Sequence, residues 1–73
     1  MPMTEPLTKT QQRLRGRNVR DMTDGQLREW IDACEKMEAW VTAAKARRSW
    51  RQGGLEATAE LNRRMQDQQE RDA

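Results

Sequence analysis

The fold is decided by the segment TDGQLREWIDACEKMEAWVTAAKARRSWRQGGLEATAELNRRM, residues 23–65. At its start Thr23 and Gln26 fit a capping box, in which the threonine oxygen accepts from the third helical amide and the glutamine reaches back. Apolar residues then recur at i, i+3, i+4 and i+7, the spacing of one helix face. They are Leu27, Trp30, Ile31, Cys34, Met37, Val41 and Ala44. The segment therefore predicts an amphipathic helix that begins at residue 23.

Two consecutive glycines, Gly53 and Gly54, supply the predicted end of this helix. Glycine commonly terminates helices because it adopts the left-handed conformation without steric cost. We expect a helix over 23–52, a turn at 53–54, a second helix over 55–70 and a frayed C-terminus at 71–73. Such a short connection makes the helices antiparallel neighbours. The predicted fold class is all-α, a long helix plus a shorter antiparallel helix in a helical hairpin.

Residues 1–22 form a basic N-terminal arm, which we expect to be partly disordered or a short helix. Its five cations stand against the two acids Glu5 and Asp21. Leu7, Gln11 and Leu14 fall at helical spacing, although Gly16 interrupts the pattern. The cations of the arm are Lys9, Arg13, Arg15, Arg17 and Arg20.

Composition limits the chain to one small domain and excludes several classes of site. A chain of 73 residues buries a low fraction of its surface, so it needs additional stabilisation. Cys34 is the only cysteine and histidine is absent, which excludes an internal disulfide and the usual zinc ligand set. Cys34 lies in the apolar stripe and is predicted to be core, while Ser49 has no base within reach. We therefore predict no enzyme activity, no metal and no cofactor.

Self-association is the remaining means of stabilisation. At ~1.5 Å per residue the predicted first helix is roughly 40 Å long and the second about 22 Å, so the hairpin leaves part of the first helix uncovered. That part, the predicted self-association surface, consists of Leu27, Trp30, Ile31 and Cys34. A homodimer is the favoured cover. The alternatives are the arm, folded back through Leu7, Leu14, Val19 and Met22, and a partner protein.

A second candidate surface lies in the string KARRSWRQ, residues 45–52. Lys45, Arg47, Arg48 and Arg51 surround Trp50, which the helical period places away from the main stripe. One interpretation is a helix C-terminus enriched in cations by its dipole. The other is a nucleic-acid contact, in which arginines bind phosphate and the tryptophan stacks on a base. Four arginines of the arm would add to this contact: Arg13, Arg15, Arg17 and Arg20.

The resulting hypothesis is a non-enzymatic, self-associating module that binds an unidentified protein partner. The alternative is a nucleic-acid-binding protein without sequence specificity.

No apolar run approaches the ~18 residues of a membrane span, so we expect a cytoplasmic protein without membrane contact.

The strings LREWIDACEKMEAWV (27–41) and KARRSWRQ (45–52) resemble the small Arg-rich, Trp-containing helical proteins of actinobacterial phages and prophages. The resemblance covers roughly residues 21–64. It implies a phage-encoded protein that modulates a host protein, and it transfers no site residue.

Overall fold

The computed structural model describes the backbone of residues 5–72 and the side chains of residues 5–69. It contains helix α1 (Lys9–Arg13), a short 3₁₀ helix (Val19–Asp21), helix α2 (Asp24–Trp40) and helix α3 (Ala44–Asp72), and residues 5–72 include no strand. The predicted all-α helical hairpin is confirmed, and the longer helix is the second one. The first four residues of the predicted arm and residue 73 of the predicted frayed end lie outside the described residues.

Helix α2 begins where the capping signal predicts. The amide of Gln26 donates to Thr23 Oγ1 at 3.1 Å, and the amide of Thr23 donates to Gln26 Oε1 at 2.9 Å. Two amides of the first turn, which have no partner within the helix, are thereby satisfied. The cap fixes Thr23 as the boundary residue and sets the phase of the stripe that follows.

The predicted turn at 53–54 is wrong, because the hairpin turns at residues 41–43. Val41 is extended, with ψ of 145°, and its carbonyl accepts a hydrogen bond from Arg47 Nε at 2.9 Å. Val41 and Thr42 are β-branched, and such residues lose side-chain freedom in a helix. The turn therefore forms at a weak point of helix propensity that neither glycine nor proline marks.

Gly53 and Gly54 lie inside α3 and allow it to approach α2 closely. A Cβ atom on Gly54 would lie 3.2 Å from Cys34 Cβ, and one on Gly53 would lie 3.5 Å from Cys34 Sγ. Neither glycine has a positive φ. Glycine suits these positions because it has no side chain and the two helix backbones come close together there. This reason differs from that of a turn, which needs glycine for its left-handed conformation. The predicted α3 boundary at residue 55 therefore moves back to Ala44.

This contact gives a prediction that distinguishes a helix from a turn. Gly53→Ala should raise the free energy of unfolding by about 0.5–1 kcal/mol, because alanine is the better helix former and its methyl group fits. For Gly54→Ala the increase in the free energy of unfolding should be smaller, because Cys34 has to move to make room for the methyl group. Urea unfolding of both variants measures the difference. If both variants were destabilised by more than 1 kcal/mol, glycine would be required there for a left-handed turn.

The early turn lets α3 run along the whole of α2. The 17 residues of α2 span about 25 Å and the 29 residues of α3 about 43 Å. Arg64 holds the far end: its Nη1 lies 3.0 Å from Asp24 Oδ1, and its Nη2 donates to the Arg20 carbonyl at 3.1 Å. Arg63 and Arg64 also hold the pKa of Glu60 down, at about 2.

The arm packs against the hairpin and completes the core. Leu7, Leu14 and Met22 are 6%, 3% and 2% exposed, and Val19 packs against the same core. Gln11 is buried, and its Nε2 donates to Asp32 Oδ2 at 2.7 Å. The folded-back arm, which was one of the predicted alternatives for covering the apolar surface of the first helix, is therefore the cover that is observed.

Candidate functional site

The four residues predicted to mediate self-association contribute to the core of the chain itself. Leu27 is 0% exposed and Cys34 is 2% exposed. Trp30 and Ile31 are half-buried and pack against the core cluster that contains Leu27. The prediction that these four residues form one uncovered surface is wrong, because Leu27 and Cys34 are buried and only part of Trp30 and Ile31 reaches solvent. It assumed a second helix too short to reach these residues, whereas α3 and the arm cover them together.

Trp50 packs between the hairpin and the arm. Its ring centroid lies 5.6 Å from that of Trp30, with 54° between the ring planes. The guanidinium carbon of Arg15 lies 5.3 Å from the centroid of the Trp50 ring, within cation–π range. The prediction that Trp50 faces away from the apolar stripe is wrong, because the turn at 41–43 resets the helical phase between α2 and α3. Trp50 is therefore half-buried, with Trp30 and Arg15 packed against its ring.

The predicted contact cations fall into two groups. Arg15 and Arg51 pair with acids of the same chain: Arg15 Nη1 lies 3.1 Å from Glu5 Oε2, and Arg51 Nε lies 2.8 Å from Glu38 Oε1. The remaining cations are exposed and form no ion pair with any side chain between residues 5 and 69. They are Arg13, Arg17, Arg20, Lys45, Arg47 and Arg48.

The fold brings the arm and the first turns of α3 together. Arg15 on the arm contacts Trp50 on α3, whereas Leu14 beside it packs with Leu27 and Ala57, away from the turn. Arg20 lies toward the far end of the hairpin, where its carbonyl accepts from Arg64. The two basic segments that the sequence singled out therefore meet at one point rather than along their full length.

A groove between α2 and α3 remains open to solvent. Its volume is about 160 Å³, and Ile31, Cys34, Trp50 and Leu55 supply its apolar surface. No residue of the arm lines it. Leu55 is 58% exposed, which makes it the most exposed large apolar side chain among residues 5–69. The groove is one place where the apolar surface of the hairpin reaches solvent.

The rim of the groove is charged and the thiol beneath it is inert. Glu38 and Arg51, which form an ion pair, both line the groove, with Glu35 next to Glu38 on α2. Burial raises the pKa of Cys34 to about 11, so the thiol is protonated at neutral pH and is a poor nucleophile. No cluster of three potential metal-ligating side chains occurs in the described part of the chain. Apolar surface with a polar rim is suited to binding.

Sequence reasoning missed Leu55 as a surface residue. In the predicted second helix, Leu55, Thr58, Leu61 and Met65 recur at helical spacing, which predicts a second, weaker apolar stripe. In the structure Leu61 packs on the core, whereas the other three are exposed. The buried face of α3 is centred on Gly53 and Ala57 with Leu61 at its edge, whereas Leu55 lies on the opposite side of the helix. The missing signal was therefore the turn at 41–43.

No described helix combines the length and apolar character that a bilayer span requires. Comparison with protein-family models, with curated proteins and with solved structures gives no match for this chain.

Proposed function

We propose that this chain is a non-enzymatic module that binds another protein through the groove between α2 and α3. The observation that carries the proposal is Leu55, a large apolar side chain left 58% exposed beside Ile31 in a groove that the arm leaves uncovered. Interfaces place apolar side chains at their centre and charges at their rim. The pair Glu38–Arg51 has that rim position.

The size of the groove favours a protein over a small molecule. Small-molecule sites usually enclose roughly 300–1,000 Å³, and this groove, at about 160 Å³, is smaller and open. A helix that lays an apolar face across two others needs only shallow space for single side chains. The bound segment is therefore expected to present a leucine, methionine or similar side chain to Leu55 and Ile31.

The resemblance to small phage proteins extends this proposal. It would make the partner a cytoplasmic protein of the host, and the chain a phage-encoded modulator of it.

Site-specific photo-crosslinking in cells tests the groove. A photoreactive amino acid at position 55 should give a discrete protein adduct that survives nuclease treatment. The same group at Gln68, which is exposed on α3 and does not line the groove, serves as the control. Equal adducts at positions 55 and 68, or none at 55, would contradict the proposal.

Nucleic-acid binding is the second candidate function. The supporting observation is the set of exposed cations without acidic partners on the first turns of α3 and on the arm, two segments that the Arg15–Trp50 contact joins. Because Trp50 is packed, binding of this kind would rest on phosphate contacts and not on stacking. Fluorescence anisotropy with labelled single- and double-stranded oligonucleotides tests it: Arg13→Gln with Arg48→Gln should lower the salt slope by about one to two if both contact phosphate. Absence of binding at 50 mM salt would exclude this function.

A further inference from the structure

Between residues 52 and 69, one exposed face of α3 carries no charge, although 36% of the chain is charged. The preceding turns of the helix carry Arg47, Arg48 and Arg51 on the same side. At ~100° per residue, eight exposed uncharged residues between 52 and 69 fall within a sector of roughly 140°. The charged residues of the same stretch lie outside this sector. The face is formed chiefly by Leu55, Thr58, Ala59, Asn62, Met65 and Gln66, all of which are exposed. Loss of charge from a contiguous exposed surface is a mark of an interface centre.

The two exposed large apolar residues of the described chain both belong to this face. Leu55 is 58% exposed and Met65 is 49% exposed. They occupy the first and fourth positions of a seven-residue repeat, the a and d positions that form a coiled-coil seam. Their separation of ten residues corresponds to about 15 Å along the helix axis.

This spacing is self-complementary under two-fold symmetry. If a second copy of α3 lies antiparallel, with the symmetry axis at residue 60, Leu55 of each copy meets Met65 of the other. In an antiparallel seam a positions pair with d positions, so the repeat and the symmetry agree. Thr58 and Asn62 then face each other near the axis. A polar asparagine in a seam fixes the register at a cost in stability.

Charge selects the antiparallel orientation. Residues 44–51, the first two turns of α3, carry Lys45, Arg47, Arg48 and Arg51 and no acid. A parallel pair would place these cations beside their own copies. An antiparallel pair places them near the C-terminal turns of the other α3, where the negative end of the helix dipole and Asp67 lie. Like charges separate and opposite charges approach.

We infer that a second copy of this chain docks on the uncharged face of α3, as an antiparallel two-fold dimer with Leu55 of each copy against Met65 of the other. The inference rests on the proposed protein-binding function and names the partner of Leu55. It also replaces the predicted α2 surface, which is buried within the chain. Because each copy supplies only two large apolar side chains, the dimer belongs to the small, weak class of interface.

Disulfide trapping tests both contact and orientation. A variant with Leu55→Cys and Met65→Cys, made together with Cys34→Ala because the native thiol lines the same groove as Leu55, should form interchain disulfides in a glutathione buffer. It cannot close within one chain, because the two positions are about 15 Å apart and a disulfide requires Cα atoms within about 7 Å. Leu55→Cys alone should remain unlinked, whereas a parallel pair would link it. The pair Glu56→Cys with Arg63→Cys, on the charged side, measures collisional linking.

Sedimentation equilibrium separates failure of this inference from failure of the groove. The wild-type chain near millimolar concentration should exceed the monomer mass of 8.6 kDa, and Leu55→Glu should weaken association at least tenfold, roughly the effect of 1.4 kcal/mol. A monomer at that concentration, without 55–65 linking above the collisional control, overturns the dimer. If photo-crosslinking at position 55 still captured a different protein, the proposed function would stand. If it captured nothing, both would fall.

Discussion

Leu27→Ala is expected to lower the free energy of unfolding by about 3 kcal/mol, since truncation of a buried leucine typically costs 2–5 kcal/mol. Leu27 is 0% exposed and lies in the cluster that joins the arm, α2 and α3 through Leu14, Met22 and Ala57. A chain of this length has a total stability of roughly 4–11 kcal/mol. The single change should therefore remove between about a quarter and three quarters of it.

Leu55→Ala is the matched control for this prediction. The chemical change is identical, but Leu55 is 58% exposed, so we expect a change within about 0.5 kcal/mol. Urea unfolding followed by circular dichroism, at concentrations where the chain is monomeric, compares the two. Equal losses in both variants would contradict the packing, because they would mean that α3 buries Leu55 as well as Leu27.

The start of the hairpin could be predicted from the sequence because it depends on local chemistry. Thr23 and Gln26 cap each other within one turn, and the stripe from Leu27 to Met37 records a single buried face. Part of the arm could also be predicted, because Leu7, Gln11 and Leu14 recur at helical spacing and all three are buried. These signals need only residues that are close together along the chain.

The turn could not be predicted because its cause lies partly in tertiary contacts. Val41 and Thr42 weaken the helix only modestly, and a pair of glycines is normally the stronger breaking signal. Gly53 and Gly54 are instead needed where α3 crosses Cys34, a contact that exists only after the chain has turned elsewhere. A pair of glycines such as Gly53 and Gly54 can therefore either end a helix or let two helices pack closely, and the local sequence does not distinguish these two roles.

The candidate surfaces followed from the position of the turn. A break at 53–54 leaves the first half of α2 bare and sends Trp50 outward, whereas a break at 41–43 buries that half and turns Trp50 toward Trp30. The same change of phase exposes Leu55 and Met65. To predict the site, the position of the turn must be known to within a few residues. Helix propensity alone does not locate a turn that closely.

Leu14→Glu is expected to release the arm from the hairpin. Leu14 is 3% exposed within the cluster of Leu27 and Ala57, and an unpaired carboxylate buried there costs several kcal/mol. Detachment of the arm avoids that cost but forfeits the burial of Leu7 and Met22. The thermal midpoint should fall by about 15 °C or more, at 4–8 °C per kcal/mol for a domain of this size.

Limited proteolysis identifies the segment that is released. Trypsin should cleave after Arg15 and Arg17 far faster in Leu14→Glu than in the wild-type chain, because a docked backbone is a poor protease substrate. Gln12→Glu is the matched control, since it introduces the same single negative charge two residues away at an exposed position and keeps every tryptic site. Equal cleavage in both variants would show that Leu14 does not hold the arm.

Release of the arm should also restore the self-association that the sequence predicted for α2. With the arm gone, the cluster around Leu27 and Trp30 loses one of its two covers, and an exposed apolar surface of that kind favours pairing. Sedimentation of Leu14→Glu combined with Leu55→Glu, which removes the proposed α3 contact, should therefore show a mass above that of one chain. Adding Ile31→Glu should return it to monomer. A monomer before that third change would mean that α3 alone covers α2, so that the arm contributes stability without concealing a contact surface.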